Sequence, residues 1–451
     1  MSSFYMHNSK QKRMKTKFHP RYLLVAFLGI AMTFTACKDE DENDSTMVSK
    51  TIADVVVSDN RFTILEKALI KTDLAGALAS KSGSFTVFAP TDAAFTTFLS
   101  SAGFSKIEDV PNDVLKPILL YHVVSDKVMS SAVSTGYVST ISPVDNDKFL
   151  SIFIEKASGV KINNSANVTI ADVMADNGVI HVIDKVITPL SVGELVAVNP
   201  DLSSLASAVV GQNLLSALTD KNGTFTVFAP NNAGFAKHSS LPADVKSLLL
   251  YHVVGSKNYS GSLTTGYYNT LSKFGEYPVS MKIITTPEVK INNSAKVVKA
   301  DITGINGVVH IIDDVIFQPS VVAIAQQNPN FSILVQAVVK AGLAETLSGS
   351  GPFTVFAPTN DAFSALFATL KVSGVEALTK EQLTPILLYH VVQSNVRSGS
   401  LSSGKVTTLN GQIDVNVGST VSINTSAKVV ATDIQGINGI VHAVDQVLIP
   451  K

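Results

Sequence analysis

The hexapeptide FTVFAP occurs three times in the 451-residue chain, at Phe85–Pro90, Phe225–Pro230 and Phe353–Pro358. Its β-branched and aromatic residues, followed by proline, are typical of a short strand that ends at the proline. The residue after each copy is of a type that caps the start of a helix: Thr91, Asn231 and Thr359. The hexapeptide therefore predicts a junction from strand to helix at three places in the chain.

Two further blocks repeat in the same order as the hexapeptide. The sequence YHVV begins at Tyr121, Tyr251 and Tyr389, and an Asn-Gly-apolar-apolar-His block follows it in each repeat. The copies lie roughly 130 residues apart, which is the size of a whole domain and too long for a solenoid unit. The repeats predict three domains with these limits: residues 50–189, 190–319 and 320–451.

Within each repeat the pattern places helices first and strands second. An amphipathic helix opens the third repeat with one apolar face, and Gly342 suits its end. That face is predicted to contain Phe331, Leu334, Val335, Val338 and Val339. A Leu-rich helix leads into YHVV, and alternating residues with Asn-Gly turns then predict a β-meander. The closing strand is apolar on both faces and is therefore expected at the centre of the sheet. The class is α+β.

The FTVFAP, YHVV and Asn-Gly-x-x-His blocks, in this order, resemble the fasciclin (FAS1) domain. The resemblance covers about residues 50–451 in three tandem copies. It implies three tandem fasciclin-like domains, each a β-sandwich wedge with helices packed on one side. The family is associated with cell adhesion and matrix binding, generally without enzymatic chemistry, so the resemblance implies no catalytic residue, metal or cofactor.

The middle repeat departs from the other two. From FTVFAP to YHVV the distance is 36 residues in the first and third repeats but 26 in the second. Gly234 also stands where the third repeat has Ala362, and glycine weakens a helix. The helical segment of the middle domain is therefore expected to be shorter, and binding through that edge is expected of the outer domains.

The N-terminal segment is typical of an export signal. Six basic residues and no acidic ones precede an apolar run of 15 residues, Tyr22–Ala36, which is too short to span a membrane. Cys37, the only cysteine of the chain, follows directly. The sequence FTAC resembles a bacterial lipobox, which implies a signal peptide at residues 1–36 and lipid attached to Cys37. An ordinary signal peptide that ends near a cysteine is the alternative.

Residues 37–49 are predicted to be the lipidated cysteine and an acidic tether. Five of the seven residues of KDEDEND, Lys38–Asp44, are acidic, so this segment is expected to be extended and solvated. It resembles the signal that sends lipoproteins of the Bacteroidetes group to the outer face of the outer membrane. The expected location is therefore the outer membrane, facing the cell exterior, with a plain linker as the alternative.

Composition excludes several classes of protein. Lys plus Arg is 35 and Asp plus Glu is 36, which argues against a nucleic-acid binder. One cysteine permits neither an intramolecular disulfide nor a cysteine-rich zinc site. The apolar share of 45% is enough to bury a core.

The Tyr-His pair of the YHVV block is the best-known dipeptide of the family and has been linked to adhesion. The candidate adhesion residues are Tyr121, His122, Tyr251, His252, Tyr389 and His390. The alternative is a structural role, in which the pair closes a helix and packs at the junction with the next strand.

Two other patterns resemble a His-Asp metal or acid–base site and a phosphate-binding loop, but their spacing and residues do not fit either. Each closing strand has a histidine three residues before an aspartate, as at His181 and Asp184, but such residues on a strand point to opposite faces. A structural histidine is therefore expected there, and likewise at His310 and His442. The sequence GSLSSGKV at Gly399–Val406 lacks the final Ser or Thr of a phosphate-binding loop and is expected to be a turn.

These observations predict a non-enzymatic cell-surface lipoprotein that mediates adhesion, held to the membrane by its lipid and binding an extracellular protein or polysaccharide. The alternative is a glycan-binding accessory lipoprotein, supported only by Tyr137, Tyr267 and Tyr268 near loop glycines. An enzyme is a third hypothesis, and no catalytic motif supports it.

Overall fold

The computed structural model describes residues 49–145 and 147–450 of the chain. The residues from Ser49 onward form one compact unit. The predicted signal peptide, Cys37 and almost all of the acidic tether lie outside the described residues. The predicted limits are used below to name domains 1, 2 and 3. In the part of the chain that the structure describes, no helix is both long enough and apolar enough to cross a membrane.

The three domains repeat one order of elements. The helices of domain 1 are α1 (Ile52–Ser58), α2 (Thr63–Lys71), α3 (Ala75–Ala79), α4 (Asp92–Ala102) and α5 (Asn112–Tyr121). Its strands are β1 (Phe85–Pro90), β2 (Val123–Ser125), β3 (Gly136–Asp145), β4 (Lys148–Glu155), β5 (Lys161–Ile162), β6 (Ala166–Ala175) and β7 (Gly178–Ile183).

The helices of domain 2 are α6 (Val192–Val198), α7 (Ser203–Gly211), α8 (Leu215–Thr219), α9 (Asn232–Ala236) and α10 (Val245–Tyr251). Its strands are β8 (Phe225–Pro230), β9 (Val253–Val254), β10 (Gly266–Phe274), β11 (Tyr277–Ile284), β12 (Lys290–Ile291), β13 (Ala295–Gly304) and β14 (Gly307–Ile312).

The helices of domain 3 are α11 (Val321–Gln327), α12 (Ser332–Ala341), α13 (Ala344–Ser348), α14 (Asn360–Leu370) and α15 (Lys380–Tyr389). Its strands are β15 (Phe353–Pro358), β16 (Val391–Val392), β17 (Gly404–Thr408), β18 (Gly411–Val417), β19 (Val421–Ile423), β20 (Ala427–Gly436) and β21 (Gly439–Val444).

The FTVFAP strand and the closing strand lie side by side in every domain. In domain 1, β1 runs parallel to β7 with Phe85 opposite Gly178, and the sheet has the order β2-β1-β7-β6-β5-β4-β3. Every residue of β7 is buried, so the prediction of a central closing strand is confirmed. Domain 3 has the same order of strands, whereas the strands of domain 2 form a closed barrel.

Two apolar cores lie on the two faces of the FTVFAP strand. Because successive strand residues point to opposite faces, Val87 packs among the helices with Phe62 and Phe95, while Phe88 packs inside the sheet with Ile152. Helices cover one face of a curled sheet, and the predicted α+β class is confirmed.

The apolar face predicted for the helix that opens domain 3 is correct except at Val339. Leu334 and Val338 are buried in α12, but Val339 is 59% exposed. Val339 lies five residues after Leu334, which rotates it about 140° around the helix axis. Gly342 ends this helix with φ of 72°, as predicted for a residue that adopts the left-handed conformation.

The helical segment of the middle domain is shorter, as its sequence predicts. Helix α9 has 5 residues, against 11 in each of α4 and α14. A side chain at Gly234 would put its Cβ 3.0 Å from the backbone of Asp313. Glycine therefore lets α9 lie against the chain that follows β14.

Candidate functional site

The three Tyr-His pairs stand where α5, α10 and α15 end. All six side chains are 3% exposed or less: Tyr121, His122, Tyr251, His252, Tyr389 and His390. The next residues begin the short strands β2, β9 and β16. The pairs therefore lie inside the domains, at the junction of the last helix with the sheet.

Each histidine of these pairs joins two backbone segments. In domain 1, Nδ1 of His122 donates to the carbonyl of Ile118 at 2.7 Å, and Nε2 accepts from the N–H of Ile187 at 3.0 Å. His252 and His390 repeat both bonds. A carbonyl at one ring nitrogen and an N–H at the other require a neutral ring with its proton on Nδ1. Burial lowers the pKa of all three histidines to about 4.

Each tyrosine of these pairs crosses the interior of its sheet. The hydroxyl of Tyr121 donates to the carbonyl of Ser151 at 2.8 Å, and Tyr251 binds Ser280 in the same way at 3.0 Å. Burial raises the pKa of both tyrosines. A ligand in solvent therefore has no access to these side chains in the folded domain. The adhesion role of the dipeptides stays a prediction. Because the side chains are buried, they would affect adhesion indirectly, by stabilising the folded domain.

A second histidine in each domain lies near an aspartate and a serine, the three residue types of a hydrolase triad. In domain 1 the Oγ of Ser130 donates to the carboxylate of Asp172 at 2.5 Å. Nε2 of His181 donates to the carbonyl of Val128 at 3.0 Å, and Nδ1 accepts from the N–H of Asp172 at 3.3 Å. In a triad the serine donates to the histidine; here it donates to the carboxylate of Asp172 and the ring of His181 binds backbone groups, so the three residues are not arranged as a triad.

The same arrangement recurs in the other domains with His310 and His442. Both rings are fully buried, and burial lowers their pKa. Asp301 and Asp433 adopt φ of 60° and 62°, a conformation that aspartate tolerates better than most residues. The group ties the loop after the second strand to the central strands.

The aspartate three residues after this histidine has a different partner. Oδ1 of Asp184 accepts from the N–H of Asn167 at 2.7 Å, on the other face from the ring of His181. Asp313 and Asp445 bind Lys296 and Lys428 in the same way. Among residues 49–145 and 147–450, no three His, Cys, Asp or Glu side chains are grouped as a metal site.

The asparagine of each Asn-Gly turn binds three backbone groups of the helical part of its domain, a role that the sequence pattern did not predict. Oδ1 of Asn177 accepts from the N–H of Ile52 at 2.8 Å, and Nδ2 donates to the carbonyls of Leu78 and Ser80. Asn306 and Asn438 make the same three bonds. The side chain thus fixes the start of the first helix of each domain against the closing hairpin.

Adjacent domains share a buried contact that also repeats. The Oγ of Ser151 in β4 accepts from the N–H of Thr303 in domain 2 at 3.0 Å. The Oγ of Ser280 in β11 accepts from the N–H of Gln435 in domain 3 at 3.0 Å. The signal for this contact in the sequence is a lone serine within an apolar strand, in KFLSIFIE and YPVSMKII.

Two of the tyrosines considered for glycan binding belong to these contacts. The hydroxyl of Tyr137 donates to the carbonyl of Leu195 in domain 2 at 2.6 Å. The hydroxyl of Tyr267 accepts from Nδ2 of Asn328 in domain 3 at 3.3 Å, and burial raises the pKa of Tyr267 to about 12. Both hydroxyls are therefore occupied by the neighbouring domain.

The stretch Gly399–Val406 is a turn that enters a strand. A single 3-10 turn spans Ser398–Ser400, and β17 begins at Gly404. A phosphate-binding loop is followed by a helix, whose N-terminus holds the anion. The strand here supplies no such N-terminus.

Comparison with known proteins gives consistent matches along the chain. The fasciclin domain matches residues 60–189, 200–319 and 329–450. Periostin of Homo sapiens is 30% identical over 390 residues, which is 82% of this chain and 44% of periostin. Transforming growth factor-beta-induced protein ig-h3 of Sus scrofa is 28% identical over 411 residues, which is 89% of this chain and 58% of that protein.

A bacterial relative matches one domain. Protein sll1483 of Synechocystis is 43% identical over 134 residues, which is 29% of this chain and 73% of that protein. The chain spans about half the length of the two animal relatives that it matches.

Proposed function

The chain belongs to the fasciclin family, and we propose on that basis that it is a non-enzymatic adhesion protein of the cell surface. Its ligand is an extracellular protein or polymer. The observation that carries this proposal is the match of the fasciclin domain to all three parts of the chain, residues 60–189, 200–319 and 329–450.

The contacts between domains support binding at more than one place. The bonds of Ser151 to Thr303 and of Ser280 to Gln435 are buried, so they hold neighbouring domains at a fixed spacing. Modules held in this way bind a repeating ligand with a high effective concentration at the second and third sites. Weak contacts of single domains then suffice for firm adhesion.

One exposed apolar position recurs in all three domains and is our candidate contact surface. It is the eighth residue of the second helix in each domain: Ile70, Val210 and Val339, which are 60%, 56% and 59% exposed. A single exposed apolar side chain is ordinary on a protein surface. Its recurrence at one position in three domains supports a shared role in binding.

The neighbouring helical edge differs between the domains. Helices α4 and α14 have 11 residues each, whereas α9 has 5. We therefore assign the larger share of binding through this edge to domains 1 and 3.

The test is binding of the chain from Ser49 onward to immobilised matrix proteins and, in parallel, to a glycan array. Replacing Ile70, Val210 and Val339 together by serine should weaken binding to the matrix protein at least tenfold. The matched control replaces Val298 and Val430, which are 56% and 57% exposed on equivalent strands, and should bind normally. Binding to neither surface would contradict the proposal, and binding only to glycans would favour the accessory-protein alternative.

We also propose that Cys37 carries lipid and that the tether places the protein on the outer face of the outer membrane. The support is the 15-residue apolar run that leads directly into the only cysteine. Changing Cys37 to alanine should release the protein from the membrane or stall its processing. If that variant stays membrane-bound and fully processed, the anchor is elsewhere.

The cell face is tested separately. Replacing Lys38–Glu42 by neutral residues should keep the protein on the membrane but protect it from protease added outside the cell. An unchanged digestion pattern would show that this segment is only a linker.

A further inference from the structure

Domains 1 and 3 have an apolar pocket at the same place, beside the second and third strands of the sheet. The pocket of domain 1 has a volume of about 100 Å³ and that of domain 3 about 80 Å³. Eight pairs of equivalent positions line the two pockets. Among them are Phe88 and Phe356, Val138 and Val406, and Ser134 and Ser402.

The volume suits one six-membered ring. An apolar cavity of about 150 Å³ inside a protein binds benzene. The pockets here are smaller but open on one side, so a ring enters with one edge left at the surface. The lining is mainly apolar, and its polar members are Thr86 and Ser134 in domain 1 and Thr354, Ser400 and Ser402 in domain 3.

Domain 2 places a ring of its own at the equivalent position. Tyr268 takes the place of Val138 and Val406, and it packs against the cluster that contains Phe228 and Leu263. These two residues are the counterparts of the pocket residues Phe88 and Val133 in domain 1.

The hydroxyl of that tyrosine has a specific partner. It accepts from the N–H of Thr264 at 2.9 Å and donates to the carbonyl of the same residue at 3.1 Å. Thr264 is the counterpart of Ser134 and Ser402, which line the two pockets. The backbone that binds a phenol hydroxyl in domain 2 is therefore present beside both pockets.

The strands next to the pocket are joined to different extents in the three domains. In domain 2, β9 pairs with β10 through Val254 and Thr270, which closes the barrel. In domain 1, β2 and β3 are the two edges of the sheet, and β16 and β17 are the edges in domain 3. The N–H of Leu409, directly after β17, nevertheless donates to the carbonyl of Val391 in β16 at 2.8 Å, so an open sheet does not distinguish the two domains that have the pocket.

We propose that the pockets of domains 1 and 3 each bind a phenolic ring, with the ring against Phe88 or Phe356 and the hydroxyl at the backbone of Ser134 or Ser402. This site goes beyond the adhesion proposal and does not depend on it. The ring belongs to a tyrosine side chain or to a small phenol, which share this chemistry.

The test follows the valine and leucine methyl groups of the chain from Ser49 by NMR during titration with p-cresol, the analogue of a tyrosine side chain. Saturable shifts are expected at Val128 and Val133 in domain 1 and at Val396 and Leu401 in domain 3. Toluene has the same ring without the hydroxyl and should bind about fivefold more weakly, the effect of one hydrogen bond.

Variants of the chain separate this site from non-specific binding. Val138→Tyr and Val406→Tyr fill the pockets as domain 2 does, and each should weaken p-cresol binding in its own domain more than tenfold. Tyr268→Val empties the third position, and saturable shifts should then appear at Leu263. This gain of a site tests the proposal even where a filled variant folds poorly.

Several results would overturn the proposal. They are shifts that do not saturate in the wild type, binding that persists in a folded Val138→Tyr and Val406→Tyr variant, and toluene that binds as tightly as p-cresol. A peptide, acetyl-Gly-Tyr-Gly amide, distinguishes the sources of the ring. Its binding to the same methyl groups supports a protein tyrosine, whereas binding of p-cresol alone supports a small phenol.

Discussion

Acidification from pH 7 to pH 5 should destabilise every domain through the histidine of its Tyr-His pair. Burial lowers the pKa of His122, His252 and His390 from 6.5 to about 4. In the unfolded chain these histidines have their ordinary pKa and take up a proton between pH 7 and pH 5. The folded rings stay neutral there because each Nε2 accepts a backbone N–H. Acid therefore favours the unfolded state.

The magnitude follows from the difference in pKa between the two states. A shift from 6.5 to about 4 is worth roughly 3 kcal/mol per histidine in total. The contribution is fully present above pH 6.5 and is lost as the pH falls towards 4; about 2 kcal/mol of it is lost between pH 7 and pH 5. Carboxylates with a lowered pKa, such as those of Asp54 and Asp172, lose their contribution only below about pH 4. The histidines therefore lose their stabilising contribution at a higher pH than these carboxylates do.

The assay is native-state hydrogen exchange, read by mass spectrometry in peptides that cover α5, α10 and α15. Each helix should lose at least about 2 kcal/mol of protection between pH 7 and pH 5, after correction for the intrinsic exchange rate. The variant His390→Gln should be about 1–3 kcal/mol less stable at pH 7, because one backbone group loses its partner. Between pH 7 and pH 5 its domain 3 should lose about 2 kcal/mol less than domain 3 of the wild type, while domains 1 and 2 respond as before; any remaining loss in domain 3 is assigned to His442, whose pKa burial also lowers.

Two results would refute this reasoning. One is equal protection of the three helices at pH 7 and pH 5. The other is a His390→Gln variant whose domain 3 loses as much protection on acidification as domain 3 of the wild type, because the titrating group would then lie elsewhere.

Two further predictions test single contacts. Gly234→Ala should lower the stability of domain 2 by about 1–3 kcal/mol in thermal melts, because the new Cβ would lie 3.0 Å from the backbone of Asp313. The control Gly211→Ala should raise the stability by about 0.5–1 kcal/mol, because its Cβ would meet no atom within 4 Å. Equal effects of the two changes would contradict the close packing at Gly234. Ser151→Ala should lower the free energy of unfolding in urea by about 1–3 kcal/mol, because the buried N–H of Thr303 in domain 2 loses its acceptor. The control is Gln412→Ala at the equivalent, exposed position of domain 3, which should cost less than about 0.5 kcal/mol. A Ser151→Ala variant as stable as the wild type would show that the domains do not depend on this bond.

The elements of one domain were predictable because their signals are local and recur three times. The strand at FTVFAP, the cap that follows it and the short helix α9 each depend on a few adjacent residues. The central place of β7 follows from its composition alone. Repetition separated these signals from chance, since the same local pattern appears at equivalent places.

The contacts of the candidate site were not predictable in this way. Asn177 binds Ile52, which is 125 residues away, and Ser151 binds Thr303, which is 152 residues away. No local pattern links such residues, because their meeting depends on the register of the sheet and on how the domains pack. The exposure of Val339 was missed for a related reason: helical periodicity gives the direction of a side chain, but the position of the neighbouring elements decides how wide the buried face is.

The residues that repeat most faithfully in this chain are those that the fold itself uses. The Tyr-His pairs, the second histidines and the Asn-Gly asparagines are all buried and bind mainly backbone groups. A buried residue of this kind has the same task in every domain, so it recurs whatever the domain binds. Differences in binding between the domains must then come from positions that do not repeat. The position of Tyr268 is the clearest of these, because a ring fills it in one domain and a smaller valine leaves it open in the other two.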